Sequence, residues 1–172
     1  MQMKKQRPEI ISFGKTELTL ERFIWPKNDW IKHIGGIWGS TYRRDCVQAS
    51  DWERWCQAEN FEYNREEAVI FTLREDARVY EIDSLEDLKN LGMKYNISGN
   101  IYPVYLDFEQ IMWGGKWDAI HLTEKGQEKT RFSQPYSLYG WDVECYLILN
   151  FHAIDKQRPA TRKGAAYGIQ RG

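Results

Sequence analysis

Residues 139–150, Y-G-W-D-V-E-C-Y-L-I-L-N, contain the clearest strand signal in the chain. Residues 145–149 are a short apolar run of the kind that is typical of a buried strand. Two carboxylates, Asp142 and Glu144, stand where the chain enters that run. In an extended chain, residues two apart point to the same side. The stretch therefore predicts a core strand with two acids sharing one face at its start.

The length and composition favour one compact domain. A chain of 172 residues is long enough to bury its own core. Aromatic residues make up 15% of it and include eight Trp, so large flat rings are available for the core and for stacking on a ligand. We expect a basic N-terminal segment at residues 1–16, a single α+β domain at 17–154 and a basic C-terminal tail at 155–172.

Charge and cysteine content exclude several classes of protein. The 24 Lys and Arg against 25 Asp and Glu, with basic ends, leave an acidic body, so contact with nucleic acid is expected only through the tails. Three Cys without a C-x-x-C pair and without a signal peptide predict free thiols and a cytoplasmic location. No apolar run has the length of a membrane span, and the three His are too scattered to predict a metal site.

The other elements predicted from the sequence are short. Alternating residues at 18–23 predict a first strand that carries Arg22, and residues 35–40 predict a second strand. Ser50 with Glu53 is a capping box that predicts a helix at 51–59. Ser84 and Gly92 are typical of the start and end of another helix. Further strands are predicted at 68–73, 78–82, 101–106 and 117–122, a third helix at 107–113, and a polar, mobile loop at 124–135.

This mixed order predicts an α+β fold rather than a doubly wound sheet, because strands and helices do not alternate regularly. We expect one domain with a mixed, mostly antiparallel, split β core and two or three short helices. The phosphate-binding motifs G-x-G-x-x-G and G-x-x-x-x-G-K-[ST] are both absent from the sequence.

Three motifs stand in an order that resembles the ADP-ribosyltransferases: the strand with Arg22, the stretch G-G-I-W-G-S-T-Y before a Trp-rich helix, and W-D-V-E at the last strand. That family has a basic or polar residue on its first strand, a Gly/aromatic/Ser-Thr stretch on its second, and a catalytic Glu near the entry of a late strand. The resemblance implies an ADP-ribosyltransferase-like fold with NAD as substrate and no metal. It also implies that the nicotinamide–ribose bond is cleaved, in mono-ADP-ribosyl transfer or NAD hydrolysis.

The resemblance assigns roles to nine residues. Glu144 is the catalytic carboxylate, Ser40 belongs to the Ser/Thr motif, and Asp142 stands where the family usually has Gln or Glu. Arg22 is expected to contact a phosphate or the adenosine ribose. The other expected NAD contacts are Thr41 and the rings Trp38, Tyr42, Tyr139 and Trp141. The acceptor of ADP-ribose would be a protein, a nucleic acid or water.

A second hypothesis is a non-catalytic binding or inhibitor protein that grips a nucleotide or a protein partner through an aromatic cleft. The stretches G-G-I-W-G-S, W-D-A-I-H-L-T and L-Y-G-W-D-V-E also resemble those of small phage-encoded proteins, which such a role would suit. In that case Asp142 and Glu144 only protect a strand end from pairing with another chain. A third hypothesis, nucleic-acid binding through the basic tails, predicts strong salt dependence.

Overall fold

The computed structural model of the chain describes residues 7–29, 32–95, 104–138 and 140–161. The strands are β1 Ile10–Phe13, β2 Lys27–Asp29, β3 Lys32–Ile34, β4 Ile37–Thr41, β5 Ala68–Leu73, β6 Val79–Ile82, β7 Met93–Tyr95, β8 Val104–Leu106, β9 Ala119–Leu122, β10 Cys145–Ile148 and β11 Ile154–Pro159. The helices are α1 Asp51–Ala58, α2 Leu85–Leu91, α3 Phe108–Trp113 and α4 Glu124–Thr130.

Seven of these strands form one mixed sheet in the order β11-β5-β1-β4-β10-β9-β6. All neighbours are antiparallel except β6 and β9, which are parallel. The predicted single α+β domain with a mixed, mostly antiparallel sheet is confirmed. The expected split is not seen among the described strands, because β4 pairs with both β1 and β10 and joins the two halves.

Strand β10 lies in the middle of this sheet and is buried on both faces. Tyr146 and Ile148 pack on one face with residues of β1, β4 and β5. Cys145 and Leu147 pack on the other face, under helices α2 and α3. The prediction of a buried strand from the apolar run at 145–149 is therefore confirmed.

Both ends of the described chain contribute to the sheet. Strand β1 lies between β5 and β4, and β11 pairs with β5 at one edge. The sheet therefore extends past the expected domain limits at residues 17 and 154. The strand predicted at 18–23 is wrong: Leu20–Arg22 is a 3₁₀ turn, and both Leu20 and Arg22 are exposed. The Gln157 side-chain amide accepts the backbone N–H of Leu18 and donates to its carbonyl. The backbone of Leu18 is therefore hydrogen-bonded to a side chain and not to a neighbouring strand.

The helix starts follow the sequence signals in three places. The Ser50 hydroxyl accepts the N–H of Glu53 at the start of α1, and Ser84 accepts the N–H of Asp87 at the start of α2. Asp107 caps α3 in the same way. The described residues contain a fourth helix, α4, where a mobile loop was predicted. Thr123 caps it, which corrects the prediction for residues 124–135.

A buried carboxylate, Asp118, forms hydrogen bonds that link the segments next to the parallel strands β6 and β9. Its oxygens accept the backbone N–H and the guanidinium of Arg78 and the side-chain amide of Asn150. Burial alone would raise the pKa of Asp118, but these donors outweigh it and lower the pKa to about 2. Asp118 is therefore ionised at neutral pH, as a structural carboxylate.

Candidate functional site

A cavity of about 1180 Å³ lies among β1, β4, α1 and the segment that precedes β10. Its size suits an organic ligand larger than a single nucleotide base. Its rings are Phe13, Trp38, Trp52, Phe61, Tyr63 and Trp141, and its charged lining residues are Lys15, Glu62, Glu67 and Asp142. The smaller polar lining residues include Ser12, Ser40 and Asn64.

One wall of the cavity is a pair of Trp rings. Trp38 on β4 meets Trp141 edge to face, with the ring centroids 4.7 Å apart. Trp141 is 8% exposed, whereas Trp38 is 39% exposed and offers a ring surface for stacking. Behind them, the His33 ring stacks on Phe108 at 4.4 Å. Burial lowers the pKa of His33 to about 4, so this wall carries no histidine charge at pH 7.

The Glu144 carboxylate is held at four points. Oε2 accepts the Ser40 hydroxyl at 2.9 Å and the backbone N–H of Thr41 at 3.0 Å. Oε1 accepts the Thr41 hydroxyl at 2.8 Å and lies 2.8 Å from Nε2 of His121. Burial raises the pKa of Glu144, but His121 and the Thr41 donors outweigh it and hold the pKa below its ordinary value. Glu144 is therefore an ionised carboxylate in a buried position.

Ser40 separates Glu144 from the cavity. Glu144 is 7% exposed and does not line the cavity, whereas Ser40 does. The Ser40 hydroxyl also lies 2.7 Å from the backbone carbonyl of Glu144. Because a hydroxyl has a single hydrogen, Ser40 donates either to this carbonyl or to the carboxylate, and rotation of the hydroxyl exchanges the two. The carboxylate thus lies one hydroxyl group behind the cavity wall.

Asp142 points elsewhere, and the prediction that the two acids share a face is wrong. Asp142 lines the cavity and pairs with Arg131 at 3.0 Å. The physical reason is that β10 begins only at Cys145 and residues 143–144 form a bend, so the alternation of an extended chain does not apply before it.

Of the other residues expected to contact NAD, some lie at the site and others do not. Thr41 joins the Glu144 network, and Trp38 and Trp141 line the cavity. The Tyr42 ring lies under the Arg158 guanidinium and packs against a separate part of the core, outside the cavity lining. Arg22 is exposed on the 3₁₀ turn and is also outside that lining. Tyr139 lies outside the described residues.

Sequence reasoning missed several of the residues that form the site. Ser12 lies on β1, a strand that the four-residue run I-I-S-F signals only weakly, and Lys15 follows that strand. Trp52 on α1 also lines the cavity. His121 on β9 lies directly opposite Tyr146 of β10, a pairing that only the sheet order reveals.

Two other kinds of chemistry find no support in the described residues. Burial raises the pKa of the Cys145 thiol well above its ordinary value, and Glu144 and Asp142 add to that effect, so the thiol is not an activated nucleophile. Across residues 7–29, 32–95, 104–138 and 140–161, no three His, Cys, Asp or Glu side chains are grouped to hold a metal ion. In the same ranges, no helix has the length and apolar character needed to cross a membrane.

Comparison with known proteins found no family model, no curated protein and no solved structure that matches the chain.

Proposed function

We propose that this chain binds NAD in the aromatic cavity and cleaves the nicotinamide–ribose bond, passing ADP-ribose to a protein acceptor or to water. The observation that carries the proposal is the ionised Glu144, fixed by Ser40 and Thr41 one hydroxyl behind the wall of a cavity lined with Trp rings. The two motifs that supply Ser40, Thr41 and Glu144, the stretches G-G-I-W-G-S-T-Y and W-D-V-E, support it. An ADP-ribosyltransferase-like fold is part of the same proposal.

Cleavage of the nicotinamide–ribose bond is favoured by a carboxylate in this position. When the bond between nicotinamide and ribose breaks, the electron pair leaves with the nicotinamide nitrogen, and positive charge develops on the ribose ring. A carboxylate that is already in place stabilises that charge without reorganisation. The nucleophile, water or an acceptor side chain, then adds to the same ribose carbon and loses its proton to solvent.

Ser40 gives Glu144 two ways of acting on the ribose. A ribose hydroxyl can donate to the Ser40 oxygen while Ser40 donates to Oε2 of Glu144, which relays the negative charge to the sugar. Alternatively, Ser40 turns its hydrogen to the Glu144 carbonyl and frees a lone pair on Oε2. In both arrangements the buried hydroxyl keeps an acceptor, so neither carries the penalty of an unpaired polar group.

The position of the first strand changes the expected contact with the phosphates. Because β1 is Ile10–Phe13, the polar residue of the first strand is Ser12 instead of Arg22. Lys15, which follows β1, is the one Lys or Arg among the described residues that line the cavity. We therefore assign the phosphate contact to Lys15.

Replacing Lys15 by Ala is expected to raise the KM for NAD about tenfold, because a hydrogen bond to a charged group contributes about 1.5 kcal/mol. The kcat should stay within about twofold, since phosphate contacts are made equally in the ground state and the transition state. Steady-state kinetics with Lys129→Ala, an exposed lysine of α4, as control would check this. A rise in KM for Arg22→Ala but not for Lys15→Ala would contradict the assignment.

The proposed activity is tested by incubating the purified chain with NAD and measuring released nicotinamide by chromatography, with and without a cell extract as a source of acceptors. We expect release in at least one condition and an increase in melting temperature when NAD is added. No release together with no change in melting temperature would contradict the proposal for NAD.

One observation favours a second candidate, a protein that binds the nucleotide without turnover. All the lone pairs of Glu144 face donors, and its carboxylate is not in the cavity lining. A raised melting temperature with NAD in the absence of nicotinamide release would select this candidate.

A further inference from the structure

His121 is fixed between two carboxylates and a ring. Its Nε2 lies 2.8 Å from Oε1 of Glu144, and its Nδ1 lies 3.3 Å from Oε1 of Glu81. The imidazole is parallel to the Tyr146 ring, with an interplanar angle of 5° and the centroids 4.0 Å apart. The His121 side chain is 13% exposed, so three directions of contact define one orientation of the ring.

The sheet dictates this arrangement. His121 on β9 pairs with Tyr146 on β10 and with Glu81 on β6, so the three side chains lie side by side across adjacent strands. Glu144 precedes β10 by one residue and reaches the same place from the end of the strand. A ring that donates from Nε2 restrains the Oε1 side of the Glu144 carboxylate, opposite the Ser40 contact at Oε2.

Two acceptors facing the two ring nitrogens have a chemical consequence. A neutral imidazole has one N–H and can donate to one carboxylate only, whereas an imidazolium donates to both. The shorter and less exposed contact is the one to Glu144, which fits an N–H on Nε2, whereas Glu81 lies beside Nδ1 on the exposed side and its own side chain is 67% exposed. This contact is longer and more solvated than the one to Glu144, so its contribution is the smaller one.

We infer that His121 is a positioning residue for Glu144: it fixes the carboxylate from the side opposite to Ser40 and keeps Oε2 directed at the cavity wall. The inference rests on the proposed function. His121 does not line the cavity, so it acts through Glu144 and does not touch NAD. Without the Nε2 contact, Oε1 keeps only the Thr41 hydroxyl, and the carboxylate is held at three points instead of four.

Two substitutions at His121 distinguish the effect of the N–H donor from the effect of the aromatic ring. His121→Phe keeps a flat ring against Tyr146 but has no donor, and we expect kcat for nicotinamide release to fall by roughly 10- to 100-fold, as for other small displacements of a catalytic group. The KM for NAD should stay within about twofold. His121→Gln retains an N–H donor and should recover kcat to within about tenfold of the wild type.

The matched control is His152→Phe, the same substitution at an exposed histidine outside the cavity, which should leave both constants unchanged. Circular dichroism gives the folded fraction of each variant, and rates are compared per folded chain. A His121→Phe variant with wild-type kcat would overturn the inference, and so would a His121→Gln variant that is as slow as His121→Phe. An inactive wild type would instead contradict the proposed function itself.

Discussion

Replacing Glu144 by Gln is expected to slow nicotinamide release by about 100-fold or more, which corresponds to about 3 kcal/mol of transition-state stabilisation. The amide is close in size to the carboxylate but is neutral, so the charge that opposes the developing positive ribose is lost. The measurement is the rate of nicotinamide release at saturating NAD, expressed per folded chain.

The same substitution also lowers stability, and the geometry shows where. The N–H of Thr41 at Oε2 can only donate, so the Gln oxygen must take that side. The amide NH₂ then faces the Thr41 hydroxyl and the imidazole of His121, and both of these can become acceptors. Every group keeps a partner, but bonds to a neutral amide are weaker than bonds to a carboxylate, so we expect the free energy of unfolding to fall by about 1–3 kcal/mol.

Asp118→Asn is the control for this effect. Asp118 is also a buried, ionised and fully bonded carboxylate, but it lies outside the cavity lining. It should lose a similar free energy of unfolding, about 1–3 kcal/mol, and release nicotinamide within about twofold of the wild-type rate. Equal losses of rate in the two variants would show that Glu144 acts on the fold and not on NAD.

Replacing Gly126 by Ala is expected to cost about 3 kcal/mol of unfolding free energy, near the upper end of the range for overpacked sites. A Cβ at this position of α4 would lie 1.9 Å from the carbonyl oxygen of Ile82 and 2.7 Å from its carbonyl carbon. These are backbone atoms of β6, so no side chain can turn aside, and α4 must shift away from the sheet. Urea denaturation measures the loss.

This prediction also decides between a helix and a loop at residues 124–135. In a mobile loop, Gly→Ala is neutral or slightly stabilising, because it reduces the freedom of the unfolded chain. Gly114→Ala is the control: this glycine ends α3 in a right-handed conformation and has no neighbouring atom within 4 Å of the added Cβ. Equal stability of the two variants would contradict the packing of α4 on β6.

Helix α4 shows why part of the fold escaped prediction. Its sequence, E-K-G-Q-E-K-T, contains the helix formers Glu, Lys and Gln, but it has no apolar residue to give a helical periodicity and it contains a glycine. The Thr123 cap was a usable signal, but the reason for the glycine is the β6 backbone, which is distant in sequence. By contrast, α1 and α2 have Ser caps and apolar faces within one short segment, and local reasoning was sufficient for both.

The residues of the candidate site also fall into those that the sequence signals locally and those that only the fold reveals. The prediction that Ser40, Thr41 and Glu144 act together remains untested as chemistry, but the structure does bring these residues into contact through the pairing of β4 with β10. The alternation in L-T-L-E-R predicts a strand at Arg22, whereas Leu20 and Arg22 are both exposed on a turn. His121 gave no local signal, since its role depends on the neighbours that the sheet order supplies.

Catalysis by Glu144 is tested most directly by a single-turnover experiment with the wild-type chain in excess over NAD, because neither product release nor repeated cycles are needed. We expect the bound NAD to be converted to nicotinamide in at least one of the two conditions, with and without a source of acceptors, and the Glu144→Gln chain to bind NAD but leave it intact on the same timescale. Intact NAD recovered from a wild-type chain that binds it would contradict catalysis by Glu144 and leave the cavity as a binding site alone.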